Sequence, residues 1–474
     1  MSKSIKKIAK VAIFIVFAFC LSFSDVFSRT LTLDSAISVA ISSNRDIKIA
    51  KLEIDRANQA ILEAYGYAYP SLDFTGSFTH FLKKPQTPFP DFNAMLNNSV
   101  YKVLFDENII PTDEGKYLSM QMKLQSFALA NTYSTTLQLS QILFNYSVLK
   151  GISSSAIYRN LAEEQWKGKI AATSLNTQKA FYGVLLSQEV LKITQESLQN
   201  ATDNLRNVQA LRAQGMVSEF DALRAEVQVE NIRPLVLQME SNLESMKNNF
   251  KLLIGMPQNE DITLEGEIQY NPSDLKSDQE YIDIALKNNF DLNTLKIKRE
   301  FDNAMIDLER ANYYPTVAAF GNYSFMGTAD DLQFQNYQQS VVGLSLSINL
   351  FNGMRKGRRV EQGVINVMKT DESINQFKDY IAAQVKSKLT EIKKIQSNID
   401  AQNRNIELAQ KAYNISEVRY KEGTGNQLEV ENADLALRQA RTNYMQSVYQ
   451  FITLIRDLDN LTGTIDPKYL NINE

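Results

Sequence analysis

The side chains that most often carry catalysis are nearly missing from this chain. His80 is its one histidine and Cys20 its one cysteine. Without a second histidine or a nearby thiol, His80 completes neither a Ser-His-Asp triad nor a histidine-rich metal site. It is expected at the end of a strand, before a long loop; carboxylate-only chemistry is left open. No GxxxxGK[ST] or GxGxxG stands between a strand and a helix, so no nucleotide site is indicated. No cofactor, no metal and no reaction of its own are expected. The chemistry that is concentrated is charge: Arg355, Lys356, Arg358 and Arg359 fall within five residues. Such a run suits anionic lipid headgroups, the neck of a tunnel, or a solvated junction. The other Asp and Glu residues stand beside Lys and Arg on helix faces, the usual pattern of a solvated coiled-coil surface.

The element that positions this basic run is LSLSINLFNG, Leu344 to Gly353. Leu344, Leu346, Ile348 and Leu350 alternate with Ser345, Ser347 and Asn349. A strand apolar on one face and small-polar on the other suits a wall between lipid and water. The pattern then changes to a long heptad helix. The same join occurs earlier in LQLSQILFNYS, Leu137 to Ser147.

Compartment follows from the N-terminus. Lys3, Lys6, Lys7 and Lys10 precede an apolar run from Val11 to Phe23, too short to span a bilayer as a helix and therefore read as a signal peptide over residues 1–28. Cys20 lies inside it, after a Phe19 that disfavours lipoprotein processing. The remainder then has no thiol, hence no disulfide and no cysteine zinc site. The signal carries four Lys and Asp25, a charge of +3, which leaves −4 − 3 = −7 on the rest. That mild acidity argues against nucleic acid. No later stretch approaches the ~18 apolar residues of a transmembrane helix, so any crossing of a membrane must be made as a closed β-barrel.

Two repeats are expected, over 29–277 and 278–474. Ala40–Asp46 matches Ala285–Asp291 and Tyr69-Pro70 matches Tyr314-Pro315, both displaced by 245 (285 − 40, 314 − 69); Gly215 and Gly255 match Gly423 and Gly463, both displaced by 208. In the first repeat a short helix begins at Asp34 as N-cap. A second helix, with Ile47, Ala50, Ile54 and Ala57 on one seam, ends near Tyr69-Pro70. Strands follow at about 71–82 and 132–144, separated by an irregular insertion from about Lys83 to Asn131. A long helix covers about 146–212 and a return helix about 218–254, where Pro234 should kink or break it. A loop fills 255–277. In the second repeat the strands fall at about 316–326 and 340–351 and the helices at about 354–421 and 426–462. Val385, Ile392, Ile399, Ile406, Tyr413 and Tyr420 keep a period of seven, the mark of helices packed at coiled-coil angles. At ~1.5 Å per residue such a helix is ~100 Å long. Four strands per chain are too few to close a barrel, so oligomerisation is the natural way to close it. Trp166, near the start of the first long helix, is either a packing or an interfacial residue.

In this plan the chain resembles the TolC-like outer-membrane efflux proteins, the outer-membrane channels of tripartite efflux and type I secretion systems. The marks are LTLDSAISVAISSNRDI near the start, YP before each first strand, LFN or LFNG before each long helix, and GMVSEFDALRAE after the first long helix. The resemblance covers Leu31 to Gly463 and implies a mainly α fold with β. Three copies would build a 12-stranded outer-membrane barrel continued by an α-helical tunnel across the periplasm. Implied partners are two further copies, outer-membrane lipid, a periplasmic adaptor and an inner-membrane pump. The tips that dock the adaptor would be Gly215, Met216, Val217 and Ser218, and Gly423, Thr424, Gly425 and Asn426, residues that helix turns alone also explain. Glu429 matches an acidic gate position, whereas Asn432 stands where a second acid is found and Gly425 where a gating arginine is found. Weaker closure and weaker cation selectivity are implied. Leu344, Leu346, Ile348 and Leu350 would face lipid. A non-conducting coiled-coil tether or adhesin is the alternative, but a tether has no need of strands that alternate apolar with Ser, Thr and Asn.

Overall fold

The computed structural model describes residues 29–272 and 274–469; the expected signal segment, with Cys20, lies outside the described residues. The chain forms two compact units, each drawing on both repeats: Met1–Gln59, Ala156–Asn303 and Gly363–Glu474 in one, Ala60–Ser155 and Ala304–Gln362 in the other.

The first unit is helical. Strand β1 (Arg29–Leu31) leads into α1 (Leu33–Ser43) and α2 (Arg45–Gly66). This unit holds all but the first turns of the long helices α4 (Tyr146–Ala213) and α8 (Arg355–Lys421), with the return helices α5 (Glu219–Ile254) and α9 (Gln427–Leu461). The heptad positions explain their pairing: Val385, Ile392 and Ile399 of α8 are fully buried with Val184 of α4 and Val448, Phe451 and Leu458 of α9. Each such side chain contributes about 1.5–3 kcal/mol on burial. Trp166 is a packing residue, buried with Ile37, Ile41, Ile47 and Ile170. Pro234 does not break α5. It lies on the exposed face, where the carbonyl of Glu230 that loses its partner can bind water.

A repeated clamp fixes the helix ends. The Asn44 amide, at the break between α1 and α2, donates to the Leu253 carbonyl at 3.2 Å. Its counterpart Asn289 separates α6 (Asp278–Asn288) from α7 (Phe290–Ala311) and donates to the Leu461 carbonyl at 3.0 Å. In each copy a glycine of positive φ, Gly255 or Gly463, ends the return helix against that break. Two sequence expectations are corrected here. Thr32, not Asp34, caps α1, because its hydroxyl accepts from the Ser35 amide. Asp34 instead accepts from the Tyr469 hydroxyl at 2.7 Å, and that bond, with Lys468 beside it, holds its carboxyl below the usual range. Nor is 255–277 all loop, since β6 (Ile262–Leu264) pairs in parallel with β1.

The second unit is a four-stranded antiparallel sheet in the order β2 (Ser71–His80), β5 (Asn131–Asn145), β7 (Thr316–Ala329), β8 (Gln335–Ser347). Register sorts the side chains. Leu72, Leu139, Gly321 and Val342 lie across one face, as do Phe74, Leu137 and Tyr323; Asp73 and Gln138, or Thr75, Thr136 and Ser324, lie across the other. The sheet therefore has an apolar face and a small-polar face, with β2 and β8 as open edges.

The strand boundary expected at Phe351 falls instead at Ser347. Thr316 pairs with Ser347, and the next residue of β7's strand line is Pro315, which has no N–H to continue the ladder. Ile348 and Leu350 thus follow the strand rather than belong to it. The insertion between β2 and β5 is ordered, not irregular: β3 (Thr87–Pro90) pairs with β4 (Met122–Gln125), and α3 (Phe92–Asp106) lies between them, capped by the Asp91 carboxylate. His80 stands opposite Asn131 at the end of β2, 2.7 Å between Nδ1 and Oδ1.

Candidate functional site

The proposed functional residues fall at two places, and each is shaped by local rules. The tip turns come first. α4 ends with Gly215 at φ +72°, where the Gly215 N–H reaches the Arg212 carbonyl (2.9 Å) and the Met216 N–H the Leu211 carbonyl (3.0 Å). α8 ends the same way at Gly423, φ +71°, with Gly423 bonded to Tyr420 (3.1 Å) and Thr424 to Arg419 (2.9 Å). Only glycine adopts this left-handed turn without strain, which is why both ends carry it. The next helices start on side-chain caps. Ser218 and Asp221 form a reciprocal capping box on α5, and Asn426 accepts from the Glu429 amide at 3.0 Å on α9.

Beneath the turns, Val208, Ala222, Ala225, Tyr420 and Val430 make a small buried cluster that Val217 packs against. Met216 and Thr424 remain exposed. Glu429 is held by Arg419: Nη1 lies 3.2 Å from its carboxylate, while Nη2 donates to the Thr424 carbonyl at 3.0 Å. Asn432 is exposed one turn further on. Sequence reasoning missed Arg419, whose place at the last turn of α8, facing the first turn of α9 across a five-residue link, was the available signal. It also missed Asp434, which is buried and accepts from the Ser197 hydroxyl of α4. Burial pushes the Asp434 carboxyl up, against the pull of Ser197, Asn200, Arg438 and Arg441.

The second place is the strand–helix junction. The Asn of each LFN has a capping job: Asn145 Oδ1 accepts from the amides of Ser147 (2.8 Å) and Val148 (3.3 Å), and Asn352 Oδ1 from that of Lys356 (3.5 Å). Leu344 and Leu346 lie on the apolar face of β8 and are 73 % and 70 % exposed; Ile348 and Leu350, beyond the strand, are exposed as well. Among the described residues no group of three or more His, Cys, Asp or Glu is placed to hold a metal ion, and no helix is long and apolar enough to cross a membrane.

The model of the Outer membrane efflux protein family matches residues 86–256 and 281–464, one segment in each repeat. The chain belongs to the outer membrane efflux protein family. Among relatives, it is 21 % identical to the outer membrane protein TolC of Escherichia coli over 72 % of this chain and 71 % of that one. It is also 21 % identical to the cobalt-zinc-cadmium resistance protein CzcC of Cupriavidus metallidurans over 91 % and 90 %. Its fold is similar to that of the outer membrane protein VceC of Vibrio cholerae, with a TM-score of 0.67 at 14 % identity over 91 % of this chain and 96 % of that one. As an outer membrane efflux protein it is placed in the outer membrane with its helices as a periplasmic tunnel, and it serves as an efflux or secretion duct. Its open sheet, with one apolar and one polar face, fits a share of a trimeric barrel.

Proposed function

We propose that this outer membrane efflux protein is a passive exit duct that three copies build together. Three four-stranded sheets close edge to edge, β8 of one copy on β2 of the next, into a 12-stranded barrel with Leu344, Leu346, Ile348 and Leu350 toward lipid. The repeats 29–277 and 278–474 are the structural units of the tunnel. Residues Gly215–Ser218 and Gly423–Asn426 dock a periplasmic adaptor, and Glu429 and Asn432 line the gate. An inner-membrane transporter, coupled through that adaptor, drives small molecules or secreted protein outward, and the duct itself catalyses no reaction.

The observation that carries this reading is the sheet with two faces and two open edges. Four strands leave unpaired N–H and C=O groups on β2 and β8, and lipid offers those groups no partner, so closure by further copies is required. The test is direct. The full chain extracted in mild detergent should run as a heat-labile trimer and conduct ions in planar bilayers. Monomers without conductance would defeat the reading. Photo-crosslinkers at Met216 and Thr424 should capture the adaptor, and capture only from positions far from the tips would remove the docking assignment while leaving the duct intact.

A further inference from the structure

The basic run at the start of α8 has no structural task large enough to explain it. Lys356 is the exception, donating to the carbonyls of Asn312 and Asn349 and lying 5.5 Å above the Tyr313 ring. Arg355 reaches only the Asn352 carbonyl at 2.9 Å, Arg358 pairs with the exposed Glu361, and Arg359 makes no hydrogen bond or ion pair among the described residues. Cations in the first turn of a helix are also disfavoured by its dipole, so they do not stabilise the helix start. The duplication provides an internal control. Aligning the two LFN motifs displaces the repeats by 207 (350 − 143), which sets Arg355, Lys356, Arg358 and Arg359 against Val148, Leu149, Gly151 and Ile152. The first junction runs straight from Asn145 into its helix at Tyr146 and holds one cation in the same window, Lys150, which is paired with Asp307.

The surroundings of the run are those of a membrane boundary. It starts where the apolar face of β8 ends, after exposed Leu350, Phe351 and Met354. Those three side chains, with Tyr313, Lys356 and Arg358, line an open recess of about 450 Å³. Its lining combines these apolar side chains with two cations and the amides of Asn349 and Asn352, and Glu361 is the one carboxylate on it. We propose that this recess and the run Arg355–Arg359 form a binding site for anionic phospholipid of the periplasmic leaflet of the outer membrane, the acyl chain lying on Leu350 and Phe351 and the phosphate on Arg358 and Arg359. A zwitterionic headgroup brings no net charge to the cluster and is held less well.

The test uses the full chain as its native oligomer in mild detergent, with bound lipid counted by native mass spectrometry. Wild type should retain phosphatidylglycerol over phosphatidylcholine, and high salt should erase the preference. Arg358→Gln with Arg359→Gln, both exposed positions, should lower phosphatidylglycerol retention about fivefold for each charge removed while leaving phosphatidylcholine retention unchanged. A wild type without preference, or a double variant that retains phosphatidylglycerol at the wild-type level, overturns the assignment. If retention is unchanged but the double variant shifts the reversal potential across a neutral-lipid bilayer under a salt gradient, the cations line the tunnel neck and the lipid site is refuted.

Discussion

Four glycines of positive φ end the four tunnel helices, and replacing each by alanine should give a graded series. Gly215, Gly423, Gly255 and Gly463 lie at φ +72°, +71°, +74° and +64°. The left-handed backbone alone therefore costs each variant about 1 kcal/mol. Their surroundings differ. A β-carbon at Gly215 or Gly423 would meet nothing within 4 Å, so about 1 kcal/mol is the whole cost. At Gly255 it would stand 3.0 Å from the Ser43 carbonyl oxygen, a contact relieved by a shift of a few tenths of an ångström, and the total rises to about 1–2 kcal/mol. At Gly463 the oxygen of Asn288 would be only 2.3 Å away. The α6–α7 break and the end of α9 must then separate by about 1 Å to reach an ordinary C···O distance. That displacement adds about 1–3 kcal/mol of overpacking and weakens the Asn289–Leu461 hydrogen bond by about 1 kcal/mol, for about 3–5 kcal/mol in all. The urea midpoint of the helical circular dichroism signal should fall in the order Gly463, then Gly255, then the two tip glycines. Hydrogen exchange should rise around residues 285–293 in Gly463→Ala alone. Equal losses at all four positions would show that backbone strain is the only term and that the clamp does not exist.

Burial raises the Asp434 carboxyl, so its stabilising protonated form is fully present below the ordinary carboxylate range and is lost as pH rises through the raised value. Asp434→Asn, which cannot ionise but still accepts from Ser197, should melt higher than wild type at about pH 7 and no higher at about pH 4. Tyr413 is pushed up to about 12, first by burial and then by Asp434, Glu417 and Asp203. Its neutral form supports the fold up to the unfolded value of about 10, and that support is lost as pH rises toward 12, so Tyr413→Phe should retain stability over this window in an alkaline unfolding titration. Arg419→Ala removes a half-exposed ion pair worth about 0.2–1 kcal/mol and the bond to the Thr424 carbonyl. Its melting temperature should hardly move, while amide exchange over residues 422–429 should accelerate, a local loosening that exchange mass spectrometry would detect.

Periodicity made the helical part of this fold readable. A period of seven placed Val385, Ile392 and Ile399 in the core, and the paired glycines located both tip turns, because these features depend on neighbours within one or two turns of the chain. The strands were legible as elements but not in their limits. β8 stops at Ser347 because of Pro315, thirty-two residues away in sequence (347 − 315), and nothing within β8 announces it. The stretch between β2 and β5 reads as irregular because its prolines dominate the local pattern. The Asp91 cap and the apolar side of α3 hold it in order. At the tips, sequence comparison drew attention to Glu429 and Asn432, yet the residue that grips Glu429 is Arg419, ten positions earlier, and only the closed turn brings the two together.

The two open edges also constrain how a single copy travels before it assembles. β8 presents thirteen residues, QNYQQSVVGLSLS, without one charge or proline to discourage pairing, and β2 has only Asp73 as a charged gatekeeper. In the proposed assembly β8 pairs with β2 of the next copy, so pairing runs head to tail, and the same contact that closes a ring of three would add a fourth copy to a chain that has failed to close. Secretory flux thus sets a kinetic contest between ring closure and open-ended ladders.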